Sequence, residues 1–420
     1  MKTVRAIAVT AALVASTACV TVSPSSAAPP RNCPELAKDL GWYGSNRAVL
    51  QRFIDDNGSC RATRGAKHRP LALFDWDNTV IKNDVGDATT FWMLRNGKIR
   101  QPARGDWTTT SQYLTPEAAR ALKAACGRSA APGRPLPTGT DSRCADEILS
   151  VYSKGGTTAG ATAFAGFDHR RMEPSYALAA QLLSGYTHQE AKRFARQARA
   201  ENLAAPQGAE QRVGTQRVTG WARYYPQQRN LIATLVRAGF DVRIVSASAQ
   251  PVVEVWAEGV GLAPQKVIGV RSKEARGRLT PQLADCGNAA KSSVIPYIEG
   301  KRCFVNQNIL GVKGRAAFEQ QPAARRQVFG AGDSDTDVTF VGDATKMRLV
   351  LNRNKTELMC RSYHNGDGKW LVNPMFIDPK PRLATPYPCS TAGYVRPDGT
   401  KAPVLGADGT VVPDQEDTVF

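Results

Sequence analysis

Leu71-Ala72-Leu73-Phe74-Asp75-Trp76-Asp77-Asn78-Thr79 is the stretch that decides the fold. Four apolar residues follow Arg69-Pro70 and stop at an aspartate. A short apolar run bounded by turn residues reads as a buried strand. Asp75 and Asp77 lie two residues apart on the loop that leaves this strand. Carboxylates so placed can converge on one group, one attacking and the other moving a proton. Asp-x-Asp-x-Thr is also ordinary turn chemistry, so the surrounding sequence has to decide.

Working outward, the pattern predicts a helix over 228–238 that ends at Gly239. A strand over 242–245 then runs into Ser246-Ala247-Ser248, followed by a helix from about Pro251 to Gly261. A strand over 327–329 leads into Gly330-Ala331-Gly332-Asp333, and one over 348–351 closes the series. Strands alternating with helices predict an α/β fold, a Rossmann-like three-layer parallel sheet. Residues 105–218 differ in texture: loops rich in Gly, Pro and Thr alternate with Ala-rich helical stretches, as in an inserted, mostly helical cap domain. The expected organisation is a signal peptide at 1–28, an N-terminal helical extension at 29–68, a core domain at 69–104 and 219–379, the cap at 105–218, and a C-terminal tail at 380–420 with two Asp-Gly turns.

Three further groups follow, two of them at predicted strand ends, where open α/β sheets bind ligands. Ser246 can donate to a phosphate oxygen, or Ser246 or Ser248 can cap the following helix. A lysine placed beforehand would stabilise the charge of a phosphoryl transition state. Lys291 and Lys313 are the candidates, and Lys313, in Gly311-Val312-Lys313-Gly314, is preferred. Asp333, Asp335 and Asp337 cluster in Gly332-Asp333-Ser334-Asp335-Thr336-Asp337, and with Asp75 they can bind Mg²⁺ through oxygen ligands. The glycine and glutamate of a calcium-binding EF-hand loop are missing.

Composition sets the compartment. Lys2 and Arg5, an apolar run from Ala6 to Val22 and small residues Ser25 to Ala28 read as a secretory signal peptide. Lipid attachment at Cys19 is the rival reading. No later segment is apolar for long enough to span a bilayer. Beyond Cys19, eight cysteines remain in a chain expected to be secreted, and sequential pairing into four disulfides is the simplest scheme. The four histidines lie too far apart for a metal site. The formal charge of +18 favours anionic partners. It does not point to nucleic acid, because no Lys/Arg run is interleaved with aromatics.

Taken together, Asp75-Trp76-Asp77-Asn78-Thr79, Ser246, Lys313 and Gly332-Asp333-Ser334-x-x-Asp337 resemble the haloacid dehalogenase-like superfamily. The insertion is similar to the lid of its phosphoserine-phosphatase-like branch. Asp77-Asn78-Thr79, Ile244 to Ser248 and Val267 to Val270 resemble secreted bacterial phosphorylcholine phosphatases more closely. The resemblance implies a secreted, Mg²⁺-dependent phosphomonoesterase acting on phosphorylcholine or a similar small phosphomonoester. The alternatives are a phosphoserine-like or broad-specificity phosphatase, and a non-catalytic extracellular protein that binds phosphorylated ligands. It implies Asp75 as nucleophile, Asp77 as acid and base, and Thr79, Ser246 and Lys313 around the phosphate. Asp75, Asp333, Asp337 and the carbonyl of Asp77 would hold the metal. A choline leaving group would meet aromatic faces and carboxylates. Trp76, Phe91, Trp92, Asp84 and Asp87 are the candidates, with Trp107, Tyr113, Tyr152, Tyr176 and Trp221 from the lid or beside it.

Overall fold

The computed structural model describes Met1, residues 33–60 and residues 69–420. The expected signal peptide lies outside the described residues. Six strands form one parallel sheet: β1 (Leu71–Phe74), β2 (Asp241–Ala249), β3 (Val267–Val270), β4 (Phe329–Gly332), β5 (Met347–Asn352) and β6 (Trp370–Pro374), in the order β6-β5-β4-β1-β2-β3. β1 is central, with Leu73 paired between Gly330 of β4 and Arg243 of β2. The chain order reverses across β1, and such a switch point opens a crevice at the carboxyl ends of the strands. The three-layer α/β fold expected from the sequence is present.

The described residues contain eleven α-helices: α1 (Asn46–Asn57), α2 (Val85–Arg95), α3 (Pro116–Cys126), α4 (Ser142–Lys154), α5 (Pro174–Gln181), α6 (His188–Ala204), α7 (Pro226–Arg237), α8 (Gln250–Ala257), α9 (Glu299–Asn308), α10 (Val338–Gly342) and α11 (Thr356–His364). The side chains of β1 alternate between two faces. Ala72 and Phe74 join a core with Leu50 and Phe53 of α1, Leu231 and Leu235 of α7 and Trp256 of α8. Leu73 points the other way, into a cluster with Phe304 and Val305 of α9 and Phe340 and Val341 of α10. Both faces are covered, which is why the strand is continuously apolar rather than alternating.

The insertion carries α3 to α6, and α6 begins on a capping box formed by Thr187 and Glu190. The sequence did not signal its hairpin, Glu210–Val213 paired with Gln216–Thr219. Also unforeseen was a hairpin after β3, Ser272–Ala275 with Arg278–Leu283. Arg276 and Gly277 turn it with φ of 51° and 70°. Two successive positive φ values suit a tight hairpin, but Arg-Gly is a weaker signal than Asn-Gly. β4 begins at Phe329, two residues later than expected, and the Gln327 side-chain amide before it donates to the Phe340 carbonyl. β6 was missed altogether. It is a short edge strand that ends on Pro374, where a missing N–H is tolerated.

The cysteines pair sequentially: Cys33–Cys60, Cys126–Cys144, Cys286–Cys303 and Cys360–Cys389. The last bond ties the tail to α11. The tail is more than a surface strand of chain: Tyr387, Val404 and Val412 are buried against Leu358 and Met359. Its two Asp-Gly turns close small hairpins, one pairing Tyr394–Val395 with Lys401–Ala402. Replacing Cys360 and Cys389 by serine should therefore cost about 3 kcal/mol, the scale for a loop of this length. Urea unfolding under oxidising conditions would read the loss. An unchanged midpoint would mean that packing alone holds the tail.

Candidate active site

Asp75 follows β1 directly, and its N–H still donates to the Ala331 carbonyl at 2.9 Å. The chain then folds back sharply. The N–H groups of Thr79 and Val80 converge on the Trp76 carbonyl at 3.2 and 2.8 Å, and Asn78 takes the left-handed conformation at φ 60°. Asparagine tolerates that region better than most residues. The turn leaves Asp75 facing the sheet's switch point and Asp77 facing β2. The Asp77 carboxylate accepts from the Val85 N–H at 2.8 Å, from the Ser248 hydroxyl at 2.8 Å and from the Ser246 hydroxyl at 3.4 Å. Ser246 and Ser248 share a face because strand side chains repeat every two residues. Neither caps α8, whose N-cap is Ala249 and which has no side-chain cap.

Asp333 and Asp337 reach the same point from β4. The Oδ2 atom of Asp337 accepts the N–H groups of Asp333 and Ser334, each at 3.0 Å. Gly332 is required here, since a Cβ would sit 2.6 Å from the Asp337 side chain. Thr79 Oγ1 lies 3.1 Å from Asp75 Oδ2 and 2.9 Å from Asp333 Oδ1. Its single proton serves one at a time, so Thr79 braces the two carboxylates.

The lysine of the site is Lys301, which the sequence reading did not consider. Its Nζ lies 2.5 Å from both Asp75 Oδ1 and Asp337 Oδ1 and is fully buried. It occupies the first turn of α9, whose start is anchored when the Ile298 N–H donates to the Thr336 carbonyl. Lys313 is exposed at the start of a short 3₁₀ turn, Gly314–Phe318, and Lys291 is also exposed. The structure thus puts neither expected lysine beside Asp75. A signal for Lys301 was available: with Phe304 and Val305 it forms an i, i+3, i+4 stripe on the buried face of α9. A lysine in an apolar stripe needs a partner.

Burial dominates the electrostatics. It pushes Asp75 up to about 6, helped by the Asp333 charge and opposed by Lys301. Asp77 is raised well above the usual carboxylate range by burial and then by Asp84 and Asp75. Burial also raises Asp333 and Asp337. Lys301 stays charged despite its own burial, because Asp337 and Asp75 hold its proton. Oxygens of Asp75, Asp333 and Asp337 lie within 4.8 Å of one another, close enough for one cation.

A cavity with about 490 Å³ of open space lies over these groups, lined by Asp75, Asp77, Asp84, Tyr152, Tyr176 and Arg353 among others. Arg353 is a second residue that sequence reasoning missed; it follows β5 and donates to Asp333 Oδ2 at 2.8 Å. Of the expected leaving-group contacts, Asp84 is on the wall, and Asp87 lies behind it, accepting from the Tyr152 hydroxyl at 2.6 Å. Trp76 and Trp92 are not on the wall. Trp76 is fully buried edge-on to Tyr224. Trp92 stacks on Phe194 and donates to Glu201 at 2.7 Å, joining α2 to α6. Phe91 packs edge-on against Tyr152, Trp107 is buried and Tyr113 packs against Phe167.

Residues 156–341 match the haloacid dehalogenase-like hydrolase family. The matched stretch starts after Asp75 to Thr79 and includes Ser246, Lys301, Asp333 and Asp337. Comparison with curated proteins gave no match. Among solved structures, a conserved functionally unknown protein from Anaerococcus prevotii DSM 20548 is 20% identical with a TM-score of 0.56, over 80% of this chain and 93% of that one. That likeness establishes the shared fold. A protein of unknown function from Bordetella pertussis Tohama I is 18% identical with a TM-score of 0.42, over 74% of this chain and 100% of that one. A substrate-bound phosphoserine phosphatase is 13% identical with a TM-score of 0.30, over 68% and 87%.

Proposed function

We propose that this chain, a phosphatase of the haloacid dehalogenase-like kind, hydrolyses small phosphomonoesters outside the cytoplasm through a phosphorylated Asp75, with Mg²⁺ among its aspartates. One observation carries the reading: a buried ammonium, Lys301, bridges Asp75 and Asp337 at 2.5 Å each, while Asp77, which lines the same cavity as Asp75, is held by a separate set of donors. A binding protein has no need for two carboxylates kept in different environments, whereas covalent phosphoryl transfer does.

Asp75 attacks phosphorus and forms the aspartyl-phosphate. The bond to the departing oxygen breaks, and Asp77 gives that oxygen its proton. Burial favours the protonated form of Asp77, and the N–H of Val85 and the hydroxyl of Ser248 fix its direction. Asp77, now a carboxylate, takes a proton from water, which attacks phosphorus and releases Asp75. Lys301 keeps the Asp75 carboxylate oriented throughout. The all-oxygen donor set fits Mg²⁺. Asp75, Asp333 and the Asp77 carbonyl would hold it. Asp337, held by Lys301 and by two N–H groups, would support the ion or its waters. The ion supplies positive charge that offsets repulsion between carboxylate and phosphoryl oxygens.

Phosphorylcholine remains the favoured substrate. Asp84, Tyr152 and Tyr176 put acidic and aromatic groups on the cavity wall, and both attract a quaternary ammonium. Four disulfides suit an oxidising compartment.

Phosphate release from phosphorylcholine and p-nitrophenyl phosphate should fall at least ~100-fold when EDTA replaces Mg²⁺. In parallel, Mg²⁺ at a hundred times its dissociation constant should stabilise the fold by about 2.7 kcal/mol, read as a rise in melting temperature. Equal turnover with and without chelator, and no thermal shift, would remove the metal from the proposal.

A further inference from the structure

A second polar chamber, with about 610 Å³ of open space, adjoins the reaction cavity and shares Asp84 and Arg353 with it. Lys82, Lys380 and Arg353 line it, together with Asn78, Asn83 and Asn202. Lys82 is the telling group. The residue is only 8% exposed, and among the described residues its Nζ has one acceptor, the main-chain carbonyl of Asp378 at 3.3 Å. Among the described residues no carboxylate lies within ion-pair distance of it, and residues 2–32 and 61–68 contain no Asp or Glu. The two-residue ladder pairing Ile81–Lys82 with Arg223–Tyr224 holds it in place. Buried lysines are rarely left without a counter-charge.

Its neighbours add to the imbalance. Burial lowers the Lys82 pKa; Asp378 opposes this, while Lys380 and Arg353 push the same way. Lys380 is exposed at the rim. Arg353 gives one N–H to Asp333 and keeps further donors. Two carboxylates also face the chamber, but burial raises both Asp84 and Asp87, the latter to about 7. Three basic side chains, Lys82, Lys380 and Arg353, line the same chamber.

We infer that this chamber binds a small anionic group, phosphate or carboxylate, held by Lys82, Arg353 and Lys380. The anion has two sources: a second charged group on a leaving group that reaches past Arg353, or a free small anion. Only the first rests on the phosphatase reading.

Two probes separate the sources. 3-Phosphoglycerate and glycerol 3-phosphate share a skeleton and differ by a carboxylate against a hydroxymethyl group. If the anion belongs to the substrate, kcat/KM favours 3-phosphoglycerate by ~10-fold or more, the scale of one charged hydrogen bond. Lys82→Met and Lys380→Ala then each shrink that ratio. If the anion is free, the ratio stays near one, but millimolar sulfate raises the melting temperature over chloride of equal ionic strength in the unsubstituted protein and raises it less in both variants. Lys380 is exposed, so its variant folds even if Lys82→Met does not. A ratio near one, together with the same sulfate shift in all three proteins, overturns the inference. Should no phosphomonoester be hydrolysed, the phosphatase reading fails and the sulfate arm still decides the chamber.

Discussion

Replacing Lys301 by methionine is expected to cut phosphatase turnover by about 10³-fold, the upper range for losing one preplaced charge in a water-poor site. Lys313→Met and Lys291→Met should stay within about twofold, as for surface substitutions. Lys301 is the one ammonium between Asp75 and Asp337 among the described residues, and it contacts both at 2.5 Å. Without it, Asp75 loses the partner that opposes the rise caused by burial, and less of it is ionised to attack. The same change leaves two buried carboxylates unpaired, a loss of the order of 3–5 kcal/mol. Part of that should return with Mg²⁺, which supplies charge to the same cluster. Turnover and melting temperature measured with and without Mg²⁺ therefore separate lost chemistry from lost folding. Full activity in Lys301→Met, with loss in Lys313→Met, would return the phosphate lysine to the 311–314 loop.

The error over the lysine shows where sequence reading reached and where it stopped. Asp75, Asp77, Ser246 and the Asp333 to Asp337 cluster are each carried to the cavity by a strand end or the turn after it. An apolar run followed by carboxylates is visible without an alignment. Lys301 comes from a helix whose position depends on packing, and Arg353 follows a predicted strand but belongs to no motif. Lys301 reaches Asp75 only because α9 lies beneath the sheet with Phe304 and Val305 inward. Arg353 reaches Asp333 only because β5 pairs with β4. Sequence distance gave no guide to either. The tryptophans failed for the opposite reason. Proximity to Asp75 suggested Trp76 and Trp92 as ligand contacts, yet a large ring beside a motif finds the core more readily than a cavity. The fold was more legible than the site, since β1, β2, β5 and the helices α7 and α8 follow apolar periodicity. β6 and the Arg276-Gly277 hairpin do not, being short or turned by an unusual pair.

Asp75→Asn and Asp77→Asn should fail in different ways. Asp75→Asn removes the attacking oxygen and is expected to lower turnover by ~10⁴-fold or more on every substrate, the scale for loss of a nucleophile. No phosphorylated protein should form. Asp77→Asn keeps the nucleophile and loses the proton carrier, a change worth ~10²–10⁴-fold. Its effect on the first step depends on the leaving group. p-Nitrophenolate departs without a proton, so Asp77→Asn should release a stoichiometric burst of it and then stall as phospho-Asp75, because no carboxylate remains to activate water. An alkoxide such as that of choline needs the proton, so the same variant should show no burst with phosphorylcholine. Intact-protein mass after rapid acid quench would show a phosphoryl group in the first case and none in the second. The asymmetry follows from the geometry: Lys301 and Thr79 hold Asp75, whereas Val85, Ser248 and Ser246 hold Asp77. Equal loss on both substrates with no burst on either would mean that Asp77 positions the substrate instead of carrying the proton.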